Sequence, residues 1–186
     1  MRSTSFQIRK SAGAVALAAA LAFPASAGPA AAAKTKDIFG WVERVEVGRH
    51  EITLKAKLDT GAATSSLDAQ DIRRLVRRST GERSVEFTLH DPESGDSIRL
   101  KKPLVREVRI KQHDGSHQVR PVVVIDICVG DHFDTVEVSL IDRSEFLYPM
   151  LLGRSALEGR IVVDPELTFT QDPDCDEEER SRKGAP

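Results

Sequence analysis

The chain has 186 residues, a formal net charge of −2, 40% hydrophobic residues and 30% charged residues, the balance of one ordinary globular domain with short appendages. Aromatic residues make up only 5%, with a single Trp and a single Tyr, so there is no stacking platform for nucleic acid, and the near-neutral charge argues against a polyanionic partner. Two cysteines exclude a disulfide-rich scaffold and a four-thiolate zinc site, and no apolar run with charged flanks reaches the roughly 18 residues of a membrane-spanning helix.

Residues 1–27 read as a secretory signal. Arg2, Arg9 and Lys10 give a positive start, Ser11 to Phe23 is a short Ala/Leu/Val-rich core, and Pro24-Ala25-Ser26-Ala27 offers small residues for cleavage after Ala27. Residues 28–36 form an Ala-rich linker, residues 37–170 the folded domain, and residues 171–186 an acidic tail with no core-forming pattern, read as disordered. Cleavage after Ala27 removes three positive charges and leaves 159 residues at a net charge of −5. The mature chain is thus expected in a periplasmic or secreted setting with no membrane span, where a disulfide is permitted. Cys128 sits in an apolar run and Cys175 in the charged tail, and a buried free thiol at Cys128 is favoured over a bridge between them.

In the folded part, Trp41 to Val47 and Glu51 to Leu58 predict two strands joined at Gly48-Arg49. The second alternates strictly, Ile52, Leu54, Ala56 and Leu58 against Thr53, Lys55 and Lys57, which is the period of a half-buried strand. Asp68 to Arg78 predicts a helix capped by Asp68, with an apolar stripe of Ile72, Leu75 and Val76 and a basic face of Arg73, Arg74, Arg77 and Arg78. Val85 to Leu89 and Ser97 to Leu100 flank the turn-rich Asp91 to Asp96, and Val105 to Lys111 and Gln118 to Val129 flank Gln112 to His117. Pro121 to Val129 reads as a strand buried on both faces. Val136, Val138 and Leu140 alternate, Ser155 to Glu158 is a short helical piece, and Ile161 to Val163 and Leu167 to Thr170 are two closing strands. The sum is a mostly β domain, a small barrel or sandwich with one or two short helices.

The sharpest local feature is Asp59-Thr60-Gly61-Ala62, directly after the alternating strand. A second follows about ninety residues later, Met150-Leu151-Leu152-Gly153-Arg154. An apolar-Asp-Thr-Gly-Ala segment followed at this distance by apolar-apolar-Gly-Arg resembles the retropepsin-like aspartic proteases, and implies their small closed barrel. More narrowly, residues 40–165 are similar to a bacterial family labelled ATP-dependent zinc protease. The matching pieces are Ala56 to Leu67, Arg120-Pro121-Val122-Val123, Leu140 to Arg143, Tyr148 to Arg154 and Val163-Asp164-Pro165. The residues do not support that label. The chain has no Gly-rich loop ending in Gly-Lys-Ser/Thr for ATP phosphates and no His-Glu-x-x-His helix for zinc. His113 and His117 flank Asp114-Gly115 and read as a hairpin tip rather than a metal pair. No cofactor and no metal are expected.

Peptide hydrolysis at an Asp-Thr-Gly loop needs two carboxylates about 3 Å apart that share one proton, the ionised one activating water and the protonated one donating to the carbonyl oxygen. The chain carries one such loop, and Asp134-Thr135-Val136 lacks the Gly. The resemblance implies a homodimer in which each chain donates Asp59. It assigns Thr60 a hydroxyl contact across the two-fold axis, Gly61 the tight backbone approach and Ala62 an open cleft floor. Leu151, Leu152 and Gly153 would pack behind the loop, and Arg154 would pair an acid, for which Asp68 and Asp142 are the available substitutes. A lid over an extended peptide or protein substrate is expected from His113, Asp114, Gly115 and Ser116, with the Asp91 to Asp96 turn as competitor. Two other functions are weighed against the extracytoplasmic aspartic endopeptidase: a binding module that keeps the fold without cleaving, and a zinc-dependent peptidase.

Overall fold

The structure, a computed structural model, describes residues 35–49, 52–111 and 114–176. The expected leader, most of the linker, His113 and the last ten residues of the tail lie outside the described residues. No helix among the described residues is long and apolar enough to cross a membrane.

The order of elements is β1 (Asp37–Val47), β2 (Ile52–Leu58), β3 (Ser65–Asp68), β4 (Gln70–Val76), β5 (Arg83–His90), β6 (Ser97–Pro103), β7 (Arg106–Lys111), β8 (His117–Val129), β9 (His132–Ile141), β10 (Met150–Leu152), α1 (Arg154–Leu157) and β11 (Ile161–Thr168). Eight strands form one sheet in the order β11-β1-β2-β10-β3-β9-β8-β7. A further antiparallel pairing of Glu46 with Cys128 and Val47 with Ile127 joins β1 to β8. The sheet therefore curls into a ring and satisfies most of its own edges. The mostly β, barrel-like architecture expected from the turn-punctuated sequence is the one observed, and its helix is a single turn.

Period-2 patterning explains the core. Ile52, Leu54, Ala56 and Leu58 of β2 are buried, as are Val136, Val138 and Leu140 of β9. Strands β4, β5 and β6 form a second, three-stranded sheet, and Val85, Phe87 and Leu89 of β5 join the same apolar cluster. The interior is thus closed by side chains that alternate inward from both sheets.

Four expectations are corrected. The helix predicted over 68–78 is the end of β3 followed by β4, which pairs antiparallel with β5 from Arg73 against Glu86 to Val76 against Arg83. A register shift between Gln70 and Arg73 accommodates Asp71 at φ 52°, a conformation that Asp tolerates better than most residues. The ladder and cross-strand pairs offered by β5 outweigh the helical spacing of Ile72, Leu75 and Val76. Second, β8 is not buried on both faces throughout, because Val124 and Asp126 point outward between buried Val123, Ile125 and Ile127. Third, the two closing strands are one, β11, parallel to β1 and interrupted where Gly40 passes Leu167, so close that a Cβ would lie 2.4 Å from its carbonyl oxygen. The fully buried Glu43 carboxylate secures this crossing by accepting from the Gly40 N–H, the Thr170 N–H and the Thr170 hydroxyl.

Fourth, Cys128 is not a free thiol. After β11 the chain turns back, the Asp174 N–H donates to the Gly130 carbonyl at 2.8 Å, and Cys175 forms a disulfide with Cys128 beside Phe133. The first residues of the acidic segment are therefore fastened to the barrel by a covalent bond. Within the described part of this charged stretch Cys175 alone is buried, while Asp172, Asp174 and Asp176 around it stay exposed.

Candidate active site

Strand β2 ends at the buried Leu58, beside Leu152 of the parallel strand β10. The Asp59 N–H donates to the Leu152 carbonyl at 2.8 Å, so the pairing of the two strands fixes where the carboxylate begins. One carboxylate oxygen, Oδ1, accepts from the Gly61 N–H at 2.9 Å and the Ala62 N–H at 3.3 Å. An ideal Cβ on Gly61 would stand 3.1 Å from that same oxygen, which leaves little room for any larger residue. The other oxygen, Oδ2, lies 3.2 Å from the Lys57 ammonium. Burial pushes the Asp59 carboxyl upward, but the Lys57 hydrogen bond, the Gly61 N–H, the Lys57 charge and the Ala62 N–H together hold it below the ordinary carboxylate range.

The Gly-Arg segment grips this loop from behind. Leu152 is buried in the core, whereas Leu151 is only half-buried, next to Lys57 on the opposite side of the sheet. Gly153 passes so close to Thr64 that a Cβ would lie 2.5 Å from its carbonyl oxygen, and its N–H donates to the Ser65 hydroxyl at 3.1 Å. The Arg154 N–H then donates to the Ala62 carbonyl, and the Ser155 N–H to the Ala63 carbonyl. Arg154 does not pair with Asp68 or Asp142. Its Nη1 donates to the carbonyls of Thr60 and Gly61, each at 3.0 Å. Asp68 instead accepts from the Arg143 N–H at 2.6 Å, and Asp142 from the Ser144 N–H at 3.0 Å. Two peptide carbonyls replace the carboxylate because the loop folds back under the guanidinium, whose fixed fork suits closely spaced acceptors.

The structure thus brings Asp59, Thr60, Gly61, Ala62, Leu152, Gly153 and Arg154 into one hydrogen-bonded unit. Thr60 is exposed and Asp59 is partly exposed, so the loop faces outward. The proposed lid residues Asp114, Gly115 and Ser116 form the exposed tip of the β7–β8 ribbon, with Gly115 at φ 85° and the Ser116 N–H donating to Asp114. The competing turn, Asp91 to Asp96, reaches β2 directly. Glu93 pairs with Lys55, which lies on the same strand face as Lys57 and Asp59.

Two side chains at the site escaped the sequence reading. Lys57 was legible in principle, since a residue two positions before Asp59 on an extended segment must share its face. Arg143 was not. It is buried, donates from Nη1 to the Ser66 hydroxyl at 2.8 Å and from Nε to the Tyr148 carbonyl at 3.2 Å, and lies over the Phe146 ring. Burial lowers its pKa, opposed by the Asp68 charge. It ties β3 to the loop before β10. One group of three potential metal ligands exists among the described residues, Asp37, Asp131 and His132. None of them belongs to the Asp59 loop, and His132 already meets the Asp37 carboxylate at 3.0 Å.

The family model described as retropepsin-like aspartic endopeptidase RimB, of the RimB-like family, matches residues 38–174. That description replaces the ATP-dependent zinc protease label of the earlier resemblance. Curated relatives include proteins named probable alpha-L-glutamate ligase. The one from Shewanella halifaxensis is 36% identical over 118 residues, covering 62% of this chain and 25% of its own length. That from Parasynechococcus marenigrum is 35% identical over 115 residues, covering 61% and 24%. The chain thus spans about a quarter of the length of the curated relatives it matches. A solved structure of a Legionella pneumophila protein of unknown function superposes with a TM-score of 0.63 at 37% identity, covering 74% of this chain and all of that one. With the motif pair, the ring-shaped sheet and a match over most of the folded residues in agreement, the chain belongs to the RimB-like family of retropepsin-like aspartic endopeptidases.

Proposed function

We propose that the protein is an extracytoplasmic aspartic endopeptidase in which two copies each contribute Asp59. The observation that carries this reading is the state of that side chain: partly exposed at a strand end, one oxygen fixed by two backbone N–H groups, its loop clamped by Gly153 and Arg154. A group held this rigidly is preorganised, and preorganisation is what positions a water for attack. One carboxyl cannot serve as base and acid at the same moment, so the scheme requires a second Asp59 across a two-fold axis. The ionised member takes a proton from water as the water oxygen bonds to the peptide carbonyl carbon. The protonated member gives its proton to the carbonyl oxygen. Collapse of the tetrahedral intermediate then breaks the C–N bond. The nitrogen takes the proton that came from water and leaves as an amine, and one hydroxyl of the intermediate returns its proton to the other carboxylate, so the pair again holds one proton.

The Cys128–Cys175 bridge supports the extracytoplasmic setting together with the leader-like residues 1–27. The names of the relatives support a choice of test substrate. They are called glutamate ligases, and this chain matches only a quarter of each, so peptides of glutamate are the first to assay. The same names favour a second reading, a module that keeps the fold and binds glutamate-containing chains without cutting them.

The experiment is peptide cleavage by the wild type and Asp59→Asn, with molar mass measured in the same buffer. Cleavage by a dimeric wild type and loss of at least about a thousandfold in the variant, with unfolding temperature retained, is the expected result. Binding without cleavage by either chain would establish the second reading. Undiminished cleavage by Asp59→Asn, or activity from a strict monomer, would overturn the first.

A further inference from the structure

In the cleavage scheme two Asp59 carboxyls must hold one proton between them, yet the charged group nearest to Asp59 favours giving that proton up. Lys57 and Asp59 leave the same face of an extended segment, and the Lys57 ammonium sits 3.2 Å from Oδ2, the oxygen that Gly61 and Ala62 do not engage. The other charges around the loop are committed elsewhere. From α1, Arg154 is spent on the Thr60 and Gly61 carbonyls. On β2 itself, Lys55 is paired with Glu93 of the β5–β6 turn. From β10, the residue beside Lys57 is the uncharged Leu151. Among the described residues, Lys57 is thus the one cation whose charged atom contacts the Asp59 carboxylate.

We propose that Lys57 is a positioning residue, the resident counter-ion of Asp59, and that it sets the pH range in which two copies can share a catalytic proton. The proposal rests on the peptidase reading for its consequence in catalysis, but the ion pair can be measured without it. An ammonium beside a carboxyl stabilises the ionised form. In a dyad it lowers both macroscopic ionisations, the one that creates the base and the one that removes the acid. The bell-shaped rate profile therefore lies at lower pH with Lys57 than without it. The arrangement also suits a strand that is only half-buried at this point, since Lys57 lies in register with Leu151 and a lysine stem can cover apolar surface while its charged end stays wet.

The experiment compares the full chain with Lys57→Met, which keeps an unbranched stem without charge, and Lys57→Arg, which keeps the charge. The Asp59 carboxyl is titrated by carbon-13 NMR, its signal assigned by loss in Asp59→Asn, and kcat/KM for a glutamate peptide is followed against pH. In Lys57→Met the Asp59 midpoint rises and both limbs of the profile move to higher pH, with several-fold higher kcat/KM on the alkaline side. Lys57→Arg keeps the wild-type midpoint and limbs. A packing role alone would lower kcat/KM at every pH and leave the limbs where they are. An Asp59 midpoint unmoved by Lys57→Met overturns the proposal, as does cleavage with limbs that stay fixed. If the midpoint moves and none of the chains cleaves, the counter-ion stands and the peptidase reading falls.

Discussion

Gly153 shows how much of the site depends on one missing methyl group. Its N–H reaches the Ser65 hydroxyl and its Cα presses on the Thr64 peptide, where a Cβ would overlap the carbonyl carbon at 2.6 Å. Because the obstacle is backbone, it can yield only if the loop from Asp59 to Thr64 shifts. Gly153→Ala should therefore cost about 1–3 kcal/mol in denaturant unfolding, the usual range for overpacking. The same shift would displace the carboxylate from its Gly61 and Ala62 donors, and on the proposed peptidase reading cleavage should fall at least about a hundredfold, since small misplacements of a reacting group carry that penalty. A variant as stable and as active as the wild type would show that the clamp is not tight. The motif Leu-Leu-Gly-Arg was legible as a string of letters, and so was its partnership with Asp59-Thr60-Gly61. The target of Arg154 was not, because acceptors on the backbone leave no trace in residue identity. An acid was sought among Asp68 and Asp142, where the fold uses the carbonyls of Thr60 and Gly61.

At the scale of elements, alternation was a dependable guide wherever one face meets the core. The inward sets of β2, β5 and β9 follow directly from it. It failed at β4, whose apolar residues Ile72, Leu75 and Val76 have helical spacing and whose arginines look like a wet helix face. Arg73 and Arg74 lie on that strand and Arg77 and Arg78 follow its end, Arg74 meeting Glu107 and Arg77 meeting Glu82, and only the presence of β5 decides the outcome. The β5–β6 turn yields a prediction of its own. Asp91 accepts from the N–H groups of Glu93 and Ser94. Burial raises its pKa, but these bonds with the Ser94 hydroxyl and nearby His90 hold it below the ordinary 3.8. A carboxyl depressed on folding adds stability above its unfolded pKa and loses it as pH falls through the folded value. Asp91→Ala should therefore lower stability by about 1 kcal/mol at neutral pH, and the gap from wild type should close as pH drops below 3.8. Thermal unfolding of both chains across that interval checks it, and a gap that stays constant would assign the loss to something other than the charged carboxylate.

For the molecule as a whole, the decisive long-range contact is the one least visible in sequence. Cys128 and Cys175 are 47 residues apart, and nothing in the charged run around Cys175 announces a buried position. The fold brings them together because β11 follows β1 and the chain then returns across Gly130. On the way the Phe169 N–H donates to the Val42 carbonyl, Thr170 to Glu43, and Arg44 meets Asp172. Closing a loop of that length removes enough freedom from the unfolded chain to be worth about 4 kcal/mol in the entropic account. Adding reductant to the wild type should therefore lower its unfolding free energy by about that amount, while Cys128→Ser/Cys175→Ser should start lower and ignore reductant. The Asp59 loop is held by β2, β10 and α1 through Leu152, Gly153 and Arg154, none of which bonds to the residues after β11. On the proposed peptidase reading, cleavage below the unfolding temperature should consequently survive reduction, so the bridge is predicted to govern how long the fold lasts rather than how fast peptides are cut. Loss of cleavage in step with reduction, with the fold intact by circular dichroism, would mean that the strap and the Asp59 loop are coupled after all.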